Sequence, residues 1–305
     1  MSWQPCPLPI EDEAPPDPAV ETIVVPRSRD IGGLEVRRVL PSVHRRMVGS
    51  FVFLDQMGPA LLDAGQGLDV RPHPHIGLAT MTYLLDGSIL HRDSLGTIQP
   101  ILPGAVNWMS AGSGIVHSER TAAELRPIEK RLYGLQLWVA LPADREESDP
   151  GFTHYDAAGI PTTSGDGIRA RIVVGEAFGH RSPVQAFTDL FFLDLELDAR
   201  ARFTLPALHD ERALYLIEGR VELDGQTYDP GQLLVLAPGR PVDLQALTPA
   251  RLVALGGEPL DGPRHIWWNF VSSRKDRIEQ AKEDWRRERF GMPVPGETEF
   301  IPLPK

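Results

Sequence analysis

The sequence predicts an all-β chain of two similar antiparallel barrels, followed by one C-terminal helix. Three observations carry that reading. Among 305 residues there are 28 Gly and 29 Pro, and turn-forming pairs recur every ten or so residues, the texture of many short strands. An internal repeat runs through the chain. Only residues 272–290 show sustained helical spacing.

The elements follow in order. Residues 1–20 are rich in Pro and acids and are expected to form an extended leader. Strand-forming runs follow at 22–25, 34–40 and 51–55. Further strands are expected at 81–85, ending on Asp86-Gly87, and at 106–109 and 133–139. Residues 21–145 are therefore assigned to the first barrel, and 146–168, rich in Pro, Asp, Ser and Gly, to a linker. The second barrel occupies 169–305, with strands from 170–174 onward to Leu255. It ends in the helix 272–290, where Ser273 and Asp276 resemble a capping box. Ile278, Ala281 and Trp285 fall on one face of that helix, and Gly291 supplies a stop.

The repeat pairs Tyr83-Leu84-Leu85-Asp86-Gly87 with Tyr215-Leu216-Ile217-Glu218-Gly219. It also pairs Pro103-Gly104-Ala105-Val106 with Pro230-Gly231-Gln232-Leu233, and Gly112 with Gly239.

Two polar couples lie in the first half: His73 with His75, and, roughly forty residues on, His117 with Glu119. Alternate residues of a strand share a face, so each couple presents two donors to one side of a sheet. Three imidazoles and one carboxylate suit a divalent transition metal, iron in particular, with about two octahedral positions left open. Glu119 is expected to serve both as ligand and as general base. Carried through the repeat, His73, His75, His117 and Glu119 fall on Leu205, Ala207, Leu244 and Ala246, so the second barrel is expected to bind no metal. His91 in His91-Arg92-Asp93 is either a pocket group or part of a strand-end ion pair, the second being favoured. Trp108 and Met109 read as barrel core, and Trp267-Trp268-Asn269-Phe270 as packing for the C-terminal segment.

The formal charge of −11 disfavours direct binding to nucleic acid. The basic run at Arg286, Arg287 and Arg289 is interrupted by Glu288 and reads as a solvated helix face. No stretch is apolar enough to span a membrane, and the opening lacks the pattern of a secretory signal. One cysteine, Cys6, allows no intrachain disulfide. A cytoplasmic location is expected.

The chain resembles the pirin family of the cupin superfamily. The residues that carry the resemblance are Phe53-Leu54-Asp55-Gln56-Met57-Gly58-Pro59, Arg71-Pro72-His73-Pro74-His75-Ile76-Gly77 and His91-Arg92-Asp93-Ser94-Leu95-Gly96. They continue with Asn107-Trp108-Met109-Ser110-Ala111-Gly112 and Gly114-Ile115-Val116-His117-Ser118-Glu119. The resemblance implies a bicupin, two cupin (jelly-roll) barrels with metal in the first, held by His73, His75, His117 and Glu119. It implies Fe(II), with Ni, Mn, Co, Cu or Zn as other occupants. For function it implies a dioxygenase acting on quercetin-like flavonols, with a small aromatic substrate. The alternative is a non-catalytic metal- or redox-sensing regulator that binds a protein partner. Where many relatives have Arg-Gly-Phe-Glu this chain has Ile76-Gly77-Leu78-Ala79, and the loss of Arg and Glu near the pocket mouth is expected to alter substrate preference.

Overall fold

A computed structural model describes residues 18–31, 34–291 and 293–304. Cys6 and most of the expected leader lie outside the described residues.

Two seven-stranded antiparallel sheets pack against each other at the centre. The first runs, from edge to edge, Gly151–Tyr155, Val106–Ser110, Leu78–Asp86, Lys130–Ala140, Phe51–Leu62, Leu34–Leu40, Arg27–Ile31. The second runs Val20–Val24, Leu233–Leu236, Glu211–Glu218, Ala250–Gly257, Leu190–Leu197, Ile168–Val174, Thr162–Gly165. A four-stranded sheet closes each into a barrel: Asp69–His75, Ile115–Arg120, Ile89–Asp93 and Ile98–Ile101 for the first, and Arg202–Leu205, Val242–Ala246, Val221–Leu223 and Gln226–Tyr228 for the second.

The sequence pattern follows from these layers. The outer strand Val242–Ala246 alternates buried and exposed residues, because one face fills the barrel and the other meets water. The central strands Lys130–Ala140 and Ala250–Gly257 are buried on both faces and read as nearly continuous apolar runs. Between the barrels Phe51, Leu54, Leu135 and Leu137 meet Phe192, Val253 and Leu255. Each such fully buried side chain contributes roughly 1.5–3 kcal/mol. Two hydroxyls cross this interface: Tyr83 donates to Asp194 Oδ2 (2.7 Å) and Tyr215 to Gln56 Oε1 (2.5 Å).

The span 146–168, expected as a linker, carries two strands. Gly151–Tyr155 joins the edge of the first sheet beside Val106–Ser110, and Thr162–Gly165 pairs with Ile168–Val174 of the second. Phe152, Thr153 and Tyr155 favour extended backbone, and a free sheet edge gives that backbone its hydrogen bonds. In the same manner Val20–Val24, whose residues from 21 on the sequence assigns to the first barrel, edges the second sheet beside Leu233–Leu236.

The helix is shorter than 272–290, spanning Lys275–Arg286. Ser273 does not cap it: its backbone N–H and its hydroxyl both donate to the carboxylate of Glu146 (2.7 and 2.9 Å), and Arg274 stays extended. At the other end Glu288, with φ +55°, takes the left-handed turn before Gly291 is reached. The helix buries Ile278, Ala281 and Trp285 against Ile76, Val116 and Phe270, so the C-terminal segment folds back over the first barrel. Val271 N–H donates to Ile76 O (3.2 Å) and Ile301 N–H to Pro72 O (2.8 Å). Gly77 permits that return: its φ is +65°, and a Cβ there would stand 2.0 Å from Val271 O.

Strand register refines the repeat. His117 pairs with His73, as Leu244 pairs with Phe203, and Ile115 pairs with His75, as Val242 pairs with Leu205. The counterparts of His73 and His75 are thus Phe203 and Leu205, two residues earlier than Leu205 and Ala207. Parity is kept, and all four counterparts remain apolar and buried.

Candidate metal centre

His73 and His75 end the strand Asp69–His75, and His117 and Glu119 lie on its neighbour Ile115–Arg120. The pairing register shifts between His117 and Glu119, where the facing strand carries one extra residue between Val70 and His73. The ring nitrogens of His73, His75 and His117 lie within 4.8 Å of one another. Glu119 is buried beside them and lines the same cavity, but is not part of that tight cluster. Its Oε1 accepts from the Thr82 hydroxyl at 2.9 Å.

Each imidazole has its Nδ1 tied. His73 Nδ1 meets Arg71 O at 2.9 Å and His75 Nδ1 meets Asn269 O at 3.2 Å, and both must donate because a carbonyl only accepts. His117 Nδ1 faces His91 Nδ1 at 3.4 Å, while His91 Nε2 donates to Asp93 Oδ2 at 3.0 Å. With Asp93 holding the proton on that far nitrogen, His91 Nδ1 is the acceptor and His117 Nδ1 the donor. Every Nε2 of the trio is then a bare lone pair.

The consequence is visible between His75 and His117, whose Nε2 atoms stand 3.1 Å apart. Two acceptors cannot bond to each other. Neighbouring ligands of an octahedral ion with bonds of about 2.1 Å lie about 3.0 Å apart, so this spacing suits a shared cation. The electrostatics agree. Burial lowers the pKa of His73 to about 4 and holds His75 and His117 well below the usual histidine range, so all three are neutral ligands at physiological pH. Burial raises the carboxyl of Glu119, and a bound cation would favour its ionised form.

The cavity above has a volume of about 520 Å³. One wall is aromatic: Phe53 and Trp138 stack at 4.0 Å, and Trp138 meets the edge of His75 at 5.1 Å. Arg38 lies over Phe53 and grips Asp55 with two bonds of 2.9 Å. Burial raises the Asp55 carboxyl against the pull of Arg38. Ile266, Trp268, Asn269 and Ile301, all from the C-terminal segment, complete the rim.

His91 is a buried partner of His117, stacked on Phe152 at 4.5 Å, as well as a hydrogen-bond donor to Asp93. Thr82 and Gln136 were not singled out from the sequence. Their signal was present, as polar residues at paired positions of two apolar strands. Asn269 gave no such signal. Ile76 and Ala79, where the chain departs from many relatives, are both buried and line no part of the cavity, so the departure does not reach the pocket mouth. Ile76 packs under the C-terminal segment, and Ala79 between the sheets.

Comparison with known proteins agrees with this architecture. The family model described as Pirin matches residues 33–139, and that of the Pirin C-terminal cupin domain matches 192–291. A pirin-like protein of Caulobacter vibrioides is 50% identical over 94% of this chain and 100% of its own length. A Pseudomonas aeruginosa protein with the provisional name quercetin 2,3-dioxygenase is 38% identical over 88% of this chain and 85% of its own. The crystal structure of a quercetin 2,3-dioxygenase from Acinetobacter baumannii superposes with a TM-score of 0.86, at 35% identity, covering 93% of this chain and 95% of that one. With both barrels matched and half its residues shared with a full-length relative, the chain belongs to the pirin family and is a bicupin.

Proposed function

We propose that this protein is a metal-dependent dioxygenase that opens quercetin-like flavonols with O2. The observation that carries the reading is the trio of bare Nε2 lone pairs at the floor of an aromatic-walled cavity. His73, His75 and His117 would hold the ion, with Glu119 as fourth ligand. The nitrogen-rich donor set with one carboxylate favours Fe(II), and Ni, Mn, Co, Cu or Zn could also be bound. When bound, the ion supplies Lewis acidity toward the substrate oxygens and a template for O2.

The chain's own residues account for binding and proton transfer. The Phe53–Trp138 wall suits a flat polyphenol, and the C-terminal rim shields it from water. Glu119 is the general base for the flavonol hydroxyl. Thr82 lets it change protonation state cheaply. The Thr82 hydroxyl lies 2.9 Å from Glu119 Oε1 and 2.9 Å from Gln136 Oε1. While Glu119 is ionised, the Thr82 hydroxyl donates a hydrogen bond to it. Once Glu119 has taken the substrate proton, it can donate to Thr82, whose own proton turns to Gln136. Both states stay hydrogen-bonded in a buried site.

The cavity favours this reading over a non-catalytic regulator, which requires no such depth above the metal. The single cysteine fits a reducing, cytoplasmic location. The test is to load the protein with Fe(II) without oxygen, add quercetin, and admit air. Flavonol absorbance should fall, and the His73→Ala and His117→Ala variants should lose that activity. No turnover of any of several flavonols by metal-loaded protein would overturn the proposal.

A further inference from the structure

We propose that the second barrel holds a separate binding site for a compact, neutral aromatic ligand of one or two fused rings. A cavity of about 290 Å³ opens there, lined by Phe178, Phe191, Leu193, Phe203, Leu205 and Leu208. By strand register it is the counterpart of the metal cavity. Phe203 and Leu205 stand where the first barrel has His73 and His75, and Phe191 and Leu193 where it has Phe53 and Asp55. Duplication kept the mouth and changed its chemistry.

Arg212, the counterpart of Thr80, is buried in the same barrel and does not line the cavity. This side chain is 1% exposed, and its guanidinium donates to the carbonyls of Pro206 (3.0 Å), Ala237 (2.7 Å) and Arg240 (2.7 Å). A fixed internal cation thus occupies the interior, apart from the apolar mouth.

The rim contains a residue that local structure does not favour. Phe178 and Gly179 form the two-residue loop of a hairpin, with φ of +52° and +74°. That turn needs positive φ at both positions and normally takes Asn-Gly or Asp-Gly. Phenylalanine is strained there, yet the residue is 49% exposed and its ring centroid lies 6.3 Å from that of Phe203. Leu208 is 73% exposed on the same rim. Exposed apolar groups gathered around a concavity mark a contact site, whereas isolated ones do not.

The lining determines the ligand class. Each polar side chain at the cavity is already paired: Glu176 with Arg181, Thr204 with Asp243, and His209 with Asp189. Among the described residues the one buried donor of this barrel without a partner, Arg212 Nε, does not line the cavity, so the lining offers no free charge and the ligand is neutral. Three phenylalanine rings favour an aromatic partner. A dry cavity of about 150 Å³ accepts benzene, so one about twice that size accepts two fused rings.

The test uses the full chain and indole as probe, with affinity read by saturation-transfer NMR titration. Phe178→Asn should weaken indole at least tenfold while leaving the unfolding midpoint unchanged or raised, since Asn suits the turn. Leu208→Glu, at an exposed position that folding does not need, should weaken it to a similar extent. Ile266→Glu, at the rim of the metal cavity, should leave indole affinity unchanged. The proposal fails if indole shows no transfer at millimolar concentration, or if either second-barrel variant binds like the parent. It also fails if Ile266→Glu is the variant that loses binding. None of these outcomes depends on the dioxygenase reading.

Discussion

His91 Nδ1 stands 3.4 Å from His117 Nδ1, and Asp93 holds the opposite nitrogen of His91 at 3.0 Å. The pair fixes the tautomer of His117 without being able to reach an ion held at the far side of that ring. Removing it should therefore loosen the metal and spare the fold. His91→Ala is expected to lower metal affinity by about 10–100-fold, the usual cost of losing such a support. Titration against a competing chelator measures it. Affinity equal to that of the parent would show that His117 needs no help from behind.

Acid should destabilise the metal-free protein through its buried histidines. Burial holds His73 at about 4, against 6.5 for an ordinary histidine. Between those values the unfolded chain binds a proton that the folded one refuses. Stability is therefore complete above about pH 6.5 and falls as pH drops toward 4, by roughly 3 kcal/mol for His73 alone. His75 and His117, also lowered by burial, act in the same direction. Denaturant unfolding of chelator-treated protein across this range should show the slope. A flat profile would mean that the trio is hydrated and not sealed in the barrel.

Much of the site could be read in the sequence, because strand parity is a local rule. His73 with His75 and His117 with Glu119 needed only the period of two to share a face, and the repeat located the barrel. What escaped was contributed from far along the chain. Asn269 reaches His75 across 194 residues, and no periodicity announces such a contact. Ser273 resembled a helix cap until Glu146, 127 residues away, captured it. The repeat alignment slipped by two at His73 because the segments between matched turns differ in length, and a slip of two leaves every side chain on its face.

The barrels are also tied through their interior. Tyr83 and Tyr215 are counterparts, and so are their acceptors Asp194 and Gln56. The two bonds differ in their support. Asp194 keeps two further bonds from Arg251 (3.0 and 2.6 Å), whereas Gln56 Oε1 has Tyr215 alone among the described residues. Tyr215→Phe should therefore destabilise by about 1–3 kcal/mol, the cost of an orphaned buried acceptor, and Tyr83→Phe by less. Chemical denaturation of both variants gives the comparison. The reverse order would place the greater constraint on the Asp194 side.

Thr82 separates proton handling from metal holding. Thr82→Val keeps the shape but removes the hydroxyl that serves both states of Glu119. The carboxyl, already raised by burial, would lose a bond that favours its ionised form and rise further. If the proposed flavonol turnover holds, its kcat in the Fe(II)-loaded protein should fall by about 10–100-fold, within the range for impaired acid–base catalysis, while metal content stays at the parent level. Glu119→Gln, which removes the proposed base, should cost more and also weaken the metal. Turnover and metal content measured on the same samples decide the matter. If Thr82→Val loses metal in step with activity, Thr82 acts by holding Glu119 in place and not by managing its proton.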